Sequence, residues 1–290
     1  MISIQKYTIA VLFIITTLLI GCTEDMSIKL DGSSRRLVVD GNITDQLGRN
    51  FVKLTLSGNY FDNEPMPVVS DAIVSLNDGF DLILLVETNP GSGVYLPPSN
   101  FRGIARRNYT LSISNVDVDN DGINESYSAS SYLNKSVGIE SVGIGYQKNW
   151  SLWKVLLYAK EPGSVENYYM FKVYKNDSLV TDQYSKYSTA DDKFFNGNQI
   201  GGVWVYALDA TKVEEDLKIG DIVKLEMCSI EKSFFRYLQA VATETQPKTP
   251  LFSGPSANVP GNISNGAYGF FAAYSASVNS ATVNKSKAEY

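Results

Sequence analysis

Hydrophobic residues recur with a period of two along most of this chain. Phe51-Val52-Lys53-Leu54-Thr55-Leu56, Ala72-Ile73-Val74-Ser75-Leu76 and Tyr109-Thr110-Leu111-Ser112-Ile113 each alternate, the pattern of a strand with one buried face. Leu37-Val38-Val39 and Gly93-Val94-Tyr95-Leu96 are shorter strands, and Pro97 and Pro98 prevent ladder pairing beyond the second. The run 82–86 is continuously apolar and predicts a strand that can be buried on both faces. Asn77-Asp78-Gly79 is a strong turn signal, and 127–132 closes the set. About seven strands at regular spacing predict an immunoglobulin- or transthyretin-like β-sandwich over residues 35–135.

The pattern continues through 136–290, which predicts a second β-rich domain with one amphipathic helix. Strands are expected over 137–146, 152–159, 168–174, 202–206, 221–226 and 267–278. A turn at Lys175-Asn176-Asp177 leads into Ser178-Leu179-Val180. Thr211 and Glu214 fit a capping box for a short helical segment that ends near Gly220. The main helix is expected over 230–241, with Ile230, Phe234, Leu238 and Val241 on one face and Ser229 as N-cap.

The N-terminus breaks this pattern. Lys6 precedes a near-continuous apolar run over 8–20, which ends in Leu19-Ile20-Gly21-Cys22. A run of this length is short for a bilayer and reads as a signal-peptide core. Leu-Ile-Gly-Cys is a lipobox: Gly21 is small enough for cleavage, and the Cys22 thiol takes the lipid. Residues 1–21 are then the signal peptide, Cys22 the lipidation site, and 22–34 a polar tether. Two or three acyl chains, at roughly 0.8 kcal/mol per buried CH₂, hold such a body stably on a membrane.

Composition narrows the chemistry. Loss of the signal removes only Lys6, leaving 24 basic against 31 acidic residues and a net charge of −7. That balance argues against nucleic acid as a partner, since phosphate contacts need basic patches. There is no histidine, which removes Ser-His-Asp, Cys-His and His-metal sites. No Gly-x-Ser-x-Gly elbow or phosphate loop occurs. Cys228 has no second cysteine to pair with once Cys22 carries lipid; its place in the alternation Val223-Leu225-Met227 makes it a small buried hydrophobe. A hydrolase built on carboxylates alone stays open.

Several segments are candidate sites. Asp117, Asp119 and Asp121 are spaced two apart and followed by Gly122, as alternate oxygens converging on calcium require. The twelfth position, Ser128, departs from a full EF-hand loop, and an Asp/Gly hairpin tip accounts for the same residues through turn chemistry. Calcium is the single cofactor under consideration. Gly261, Gly266 and Gly269 around Asn262-Ile263-Ser264-Asn265 permit positive φ and close backbone approach, either for a clasp between helix and closing strand or for a partner contact. Trp150, Trp153, Trp204 and eighteen tyrosines could stack on glycans or pack across sheets.

Four stretches together resemble a known family. LVVDGNIT follows the lipobox and the acidic Thr23-Glu24-Asp25; VSDAIVSLND leads through GSGVYLPPSNFRG to NYTLSIS; KIGDIVKLEMCSIEKSFFRYLQAV combines a Gly-Asp strand with an aromatic helix; and NVPGNISNGAYGFFAAYSAS carries an Asn-Ile-x-x-Gly signature. The chain resembles the Bacteroidota lipoprotein family called domain of unknown function 4249. The resemblance implies an outer-membrane lipoprotein facing the cell surface, found beside TonB-dependent receptors, with no catalytic residue to carry over. The acidic residues after Cys22 are similar to the surface-export signals of such lipoproteins, and Asp177-Ser178-Leu179 resembles their O-glycosylation pattern, with Ser178 as acceptor. The expected function is a non-catalytic accessory subunit of a TonB-dependent transport system, with the receptor as partner. The alternatives are a surface adhesin or glycan-binding module and a carboxylate-based hydrolase.

Overall fold

The computed structural model describes residues 35–58, 65–163, 165–246 and 257–290. The expected signal peptide, Cys22 and the tether therefore lie outside the described residues. Residues 35–290 form one contact unit. Strands β1 (Leu37–Thr44), β2 (Phe51–Leu56), β3 (Ile73–Asn77), β4 (Leu82–Glu87), β5 (Val94–Leu96), β6 (Asn108–Val116) and β7 (Glu125–Tyr132) make up the first half. The second half contains β8 (Ile139–Gln147), β9 (Leu152–Lys160), β10 (Tyr168–Lys175), β11 (Ser178–Leu179), β12 (Ser188–Asp191), β13 (Gln199–Asp209) and β14 (Ile222–Ile230). Helix α1 (Lys232–Thr245) and strand β15 (Tyr268–Thr282) follow. The class is all-β, as the alternation predicts.

Twelve strands form one mixed sheet in the order β11-β10-β14-β15-β1-β2-β5-β4-β3-β6-β7, with β12 also paired to β10. A second sheet has the order β13-β9-β8. The expected boundary near residue 135 falls between β7 and β8, but the large sheet does not stop there. Strand β15, late in the chain, runs antiparallel to β14 and parallel to β1, with Gly269 opposite Val39 and Phe271 opposite Gly41. Alternation then divides the side chains. In the first half, Leu37, Val39, Leu54, Leu76, Leu111 and Ile113 point into one core, joined by Phe271 and Ala273 of β15. In the second half, Phe171 and Val173 of β10 and Leu225 and Met227 of β14 face the three-stranded sheet across a core that contains Trp153. The opposite face of β10, β14 and β15 is covered by α1, where Met170, Cys228, Phe270 and Tyr274 meet Phe234, Phe235 and Leu238. Cys228 is free and fully buried, as its place in the alternation suggests.

Three local expectations are corrected. Residues 211–216 form turns rather than a helix. Asp209 accepts the Thr211 N–H and hydroxyl at 2.9 and 2.6 Å, and Glu215 accepts the Asp209 N–H at 2.8 Å. These local bonds satisfy the backbone without the cost of nucleating a helix. The main helix starts at Lys232, with Glu231 as N-cap. Ser229 and Ile230 belong to β14 instead, because pairing with Tyr169 and Tyr168 of β10 extends the ladder through them. Strand β4 is not buried on both faces: Leu85 points inward, while Leu82, Leu84 and Val86 are 66, 59 and 70 % exposed. An antiparallel sheet can leave one face uncovered, and here that face is apolar.

Candidate functional site

Beside α1, the aromatic layer on the large sheet opens into a cavity of about 510 Å³. Asp40 of β1, Lys172 of β10 and Tyr274 of β15 form its floor, and Phe234 of α1 with Tyr184 and Tyr187 form its walls. Strand alternation explains the floor. Phe171 and Val173 point into the core between the sheets, so Lys172 between them must point the other way. The walls come from the short 3₁₀ turn Tyr184–Lys186, which lies between β11 and β12. Ring packing braces that turn: Tyr184 is 5.5 Å from Tyr187 and 6.3 Å from Phe234, both edge to face.

The cavity holds charged groups at its base. The Lys172 ammonium donates to the Tyr274 hydroxyl at 3.0 Å and lies 5.2 and 5.5 Å from the ring centres of Tyr274 and Tyr187, within cation–π range. Among the described residues no carboxylate lies within 4.0 Å of it. Burial works against its charge, opposed by the hydrogen bond to Tyr274 and the tyrosine rings around it, and the balance lies above the ordinary lysine value. Burial raises the Asp40 carboxyl, opposed by the hydroxyl that Tyr184 donates to it and by Lys53 and Lys172. Burial also pushes up the phenols of Tyr184, Tyr187 and Tyr274, which therefore stay protonated and able to donate.

Beside this floor, directly opposite Lys172 in the β10–β14 ladder, Glu226 of β14 is almost fully buried and paired with Arg49 of the β1–β2 connection. It also accepts the Tyr174 hydroxyl at 3.0 Å. Burial raises the Cys228 thiol beside it, which makes that cysteine a poor nucleophile. The cluster combines binding groups with no activated nucleophile. Sequence reasoning passed over it. The available signal was a charged residue inside an apolar strand, Lys172 between Phe171 and Val173 and Glu226 between Leu225 and Met227, where charge is rare unless it is paired.

The structure places the expected site residues elsewhere. Asp117, Asp119 and Asp121 lie in the β6–β7 connection, and one carboxylate oxygen from each falls within 4.8 Å of the others. Asn120 and Gly122 adopt φ of 60° and 87°, which bends the chain so that alternate side chains converge. Asp117 also accepts the N–H groups of Asp121 and Gly122 at 3.2 and 3.0 Å, and Asp121 that of Ile123 at 2.7 Å. Glu125, at the ninth position of the loop, accepts the Val118 N–H at 3.2 Å. The donor set of hard carboxylate oxygens fits calcium.

Ser178 is exposed at the start of β11. It follows a two-residue turn in which Asn176 and Asp177 have φ of 49° and 65°, the mirror-image turn that suits a hairpin. The segment 262–266 is a clasp. Asn262 donates to the Phe271 carbonyl at 2.8 Å and accepts its N–H at 2.9 Å. Ser264 accepts the Ser128 N–H at 2.8 Å, and Asn265 donates to the Ser126 carbonyl at 2.5 Å. Its polar groups tie β15 to β7 and are engaged internally. Trp150 and Trp204 stack at 6.3 Å with 27° between rings and remain 64 and 40 % exposed, whereas Trp153 is in the core.

Among the described residues no helix is long and apolar enough to cross a membrane. No curated protein matches the chain. A family described as a domain of unknown function, DUF4249, matches residues 23–280. That span takes in both halves of the large sheet, the cavity and the clasp, and the chain belongs to the DUF4249 family.

Proposed function

We propose that this chain is a non-catalytic lipoprotein, anchored in the outer membrane through Cys22 and facing the cell surface. It serves as a ligand-handling accessory subunit of a TonB-dependent transport system. The cavity carries this reading: it offers aromatic walls, an ammonium and phenolic donors, with the Met170 thioether as the sulfur group in its lining. Such a site binds rather than reacts. The lipobox supports the anchor, and the family match begins at residue 23, directly after Cys22. A tether confines the body to the membrane of its receptor and raises the local concentration.

The exposed stripe Leu82, Leu84 and Val86 supplies an apolar face for the receptor, of the kind that marks protein–protein contact. The clasp is the poorer candidate, because its polar groups are already bonded within the chain. The test places a photo-reactive residue at Leu84 in the native host. Cross-linking is expected to recover receptor peptides, and Cys22→Ala is expected to abolish both adduct and membrane association. A lone uncross-linked species turns the assignment to the adhesin reading.

One observation favours that second reading. The exposed Trp150–Trp204 pair forms a flat stacking surface, such as a sugar ring uses. Retention on a glycan array that disappears with Trp150→Ala and Trp204→Ala is its signature. Glycosylation at Ser178 belongs with the surface location, and intact-mass spectrometry of protein from the native host checks it.

The aspartate loop is assigned a structural calcium ion, held by Asp117, Asp119 and Asp121. Millimolar calcium is expected to raise the melting temperature of the mature body by a few degrees, and Asp119→Ala to remove that response. Calorimetry with no binding heat and no change in melting temperature rejects the ion.

A further inference from the structure

We infer that the cavity binds a small organic anion, its carboxylate against Lys172 and its apolar or aromatic body against Phe234, Tyr184 and Tyr187. This deepens the ligand-handling reading, and its test requires no receptor, so the two can fail separately.

The argument starts from charge. A half-buried ammonium is costly unless an anion or several acceptors compensate it. Lys172 has three donor hydrogens and one hydrogen-bond partner among the described residues, the Tyr274 hydroxyl. The rings of Tyr274 and Tyr187 stabilise the charge without using those hydrogens. The neighbouring carboxylates are otherwise occupied: Asp40 takes the Tyr184 hydroxyl, Asp182 on the cavity wall pairs with Lys186 at 2.7 Å, and Glu226 takes Arg49 and Tyr174. Lys172 is thus the cation at the floor of an open cavity with donor capacity left, and an anion entering from the mouth completes it.

The walls define the rest of the ligand. Phe234, Tyr184 and Tyr187 are braced edge to face or by stacking against neighbouring rings, so they present rigid aromatic surface. A volume of about 510 Å³ suits a molecule of drug-like size. A cationic ligand would meet Lys172 at the floor, and a neutral one would add no charge to the partial compensation that Asp40 gives Lys172. Asp40, held by Tyr184 on the β1 side, and Asp182 on the wall repel a second negative charge and favour a ligand with a single acidic end.

The probes are naphthalene-2-acetate and its neutral isostere naphthalene-2-acetamide, titrated by calorimetry into the mature protein at low salt. The acid is expected to bind saturably and at least tenfold more tightly than the amide. Lys172→Met is expected to remove that preference and Lys172→Arg to keep part of it. Equal binding of acid and amide, or no saturable binding of either, overturns the inference, as does an unchanged preference in a folded Lys172→Met variant. If Lys172→Met does not fold, the comparison of the two probes on the unaltered protein decides.

Discussion

Gly269→Ala is expected to abolish folding or to cost about 4 kcal/mol or more, at the extreme of single substitutions. Gly269 stands at φ 90° in β15, and a Cβ there would lie 1.9 Å from the carbonyl oxygen of Val39. Two penalties combine: a backbone conformation that L-residues avoid, and a collision with a strand that cannot retreat, because β1 is held on its other side by β2. Gly261 closes the stack, since a Cβ on it would fall 1.7 Å from the Gly269 carbonyl oxygen. Two other glycines separate the causes. Gly79 has φ 90° with open space around it, and Gly138 has open space and no positive φ. Urea midpoints should therefore rank Gly138→Ala near the parent, Gly79→Ala down by about 1–2 kcal/mol, and Gly269→Ala far below. Equal effects at Gly79 and Gly269 would show that backbone conformation alone, not the close approach of β15 to β1, sets the requirement.

Arg49→Ala is expected to destabilise by about 3–5 kcal/mol, the cost of leaving a buried charge without its partner. Glu226 is 2 % exposed, and its remaining partners are the Tyr174 hydroxyl at 3.0 Å and the weak Cys228 thiol donor at 3.6 Å. The ion pair links the β1–β2 connection to β14, across the β15 strand that joins the two halves of the sheet. Adding Glu226→Gln to Arg49→Ala should recover much of the loss, because the uncompensated charge is gone. A single variant as stable as the parent would show that solvent, not Arg49, compensates Glu226.

The rules of alternation carry some conclusions further than others. They locate the strands well because period two is a local property, enforced wherever one face is buried. They misplace the start of α1 because Ser229 and Ile230 suit either a cap or a strand end, and the ladder to Tyr169 and Tyr168 decides. They misjudge β4 because a continuous apolar run has the same appearance whether its second face is covered or open. Covering depends on a neighbouring layer, which no short window contains.

The sequence by itself determined the all-β class, the aspartate loop, the hairpin turn before Ser178 and the glycine-rich segment around Asn262. Each of these depends on residues adjacent in the chain and on their intrinsic chemistry. Tertiary structure alone decided that β15 lies between β14 and β1, since that pairing joins residues more than two hundred positions apart. It likewise decided the cavity, whose floor takes Asp40, Lys172 and Tyr274 from three separate strands. A lone lysine or aspartate in a strand signals little by itself. Its meaning comes from which charges the fold brings near it and which it keeps away, and contacts between distant segments set that balance.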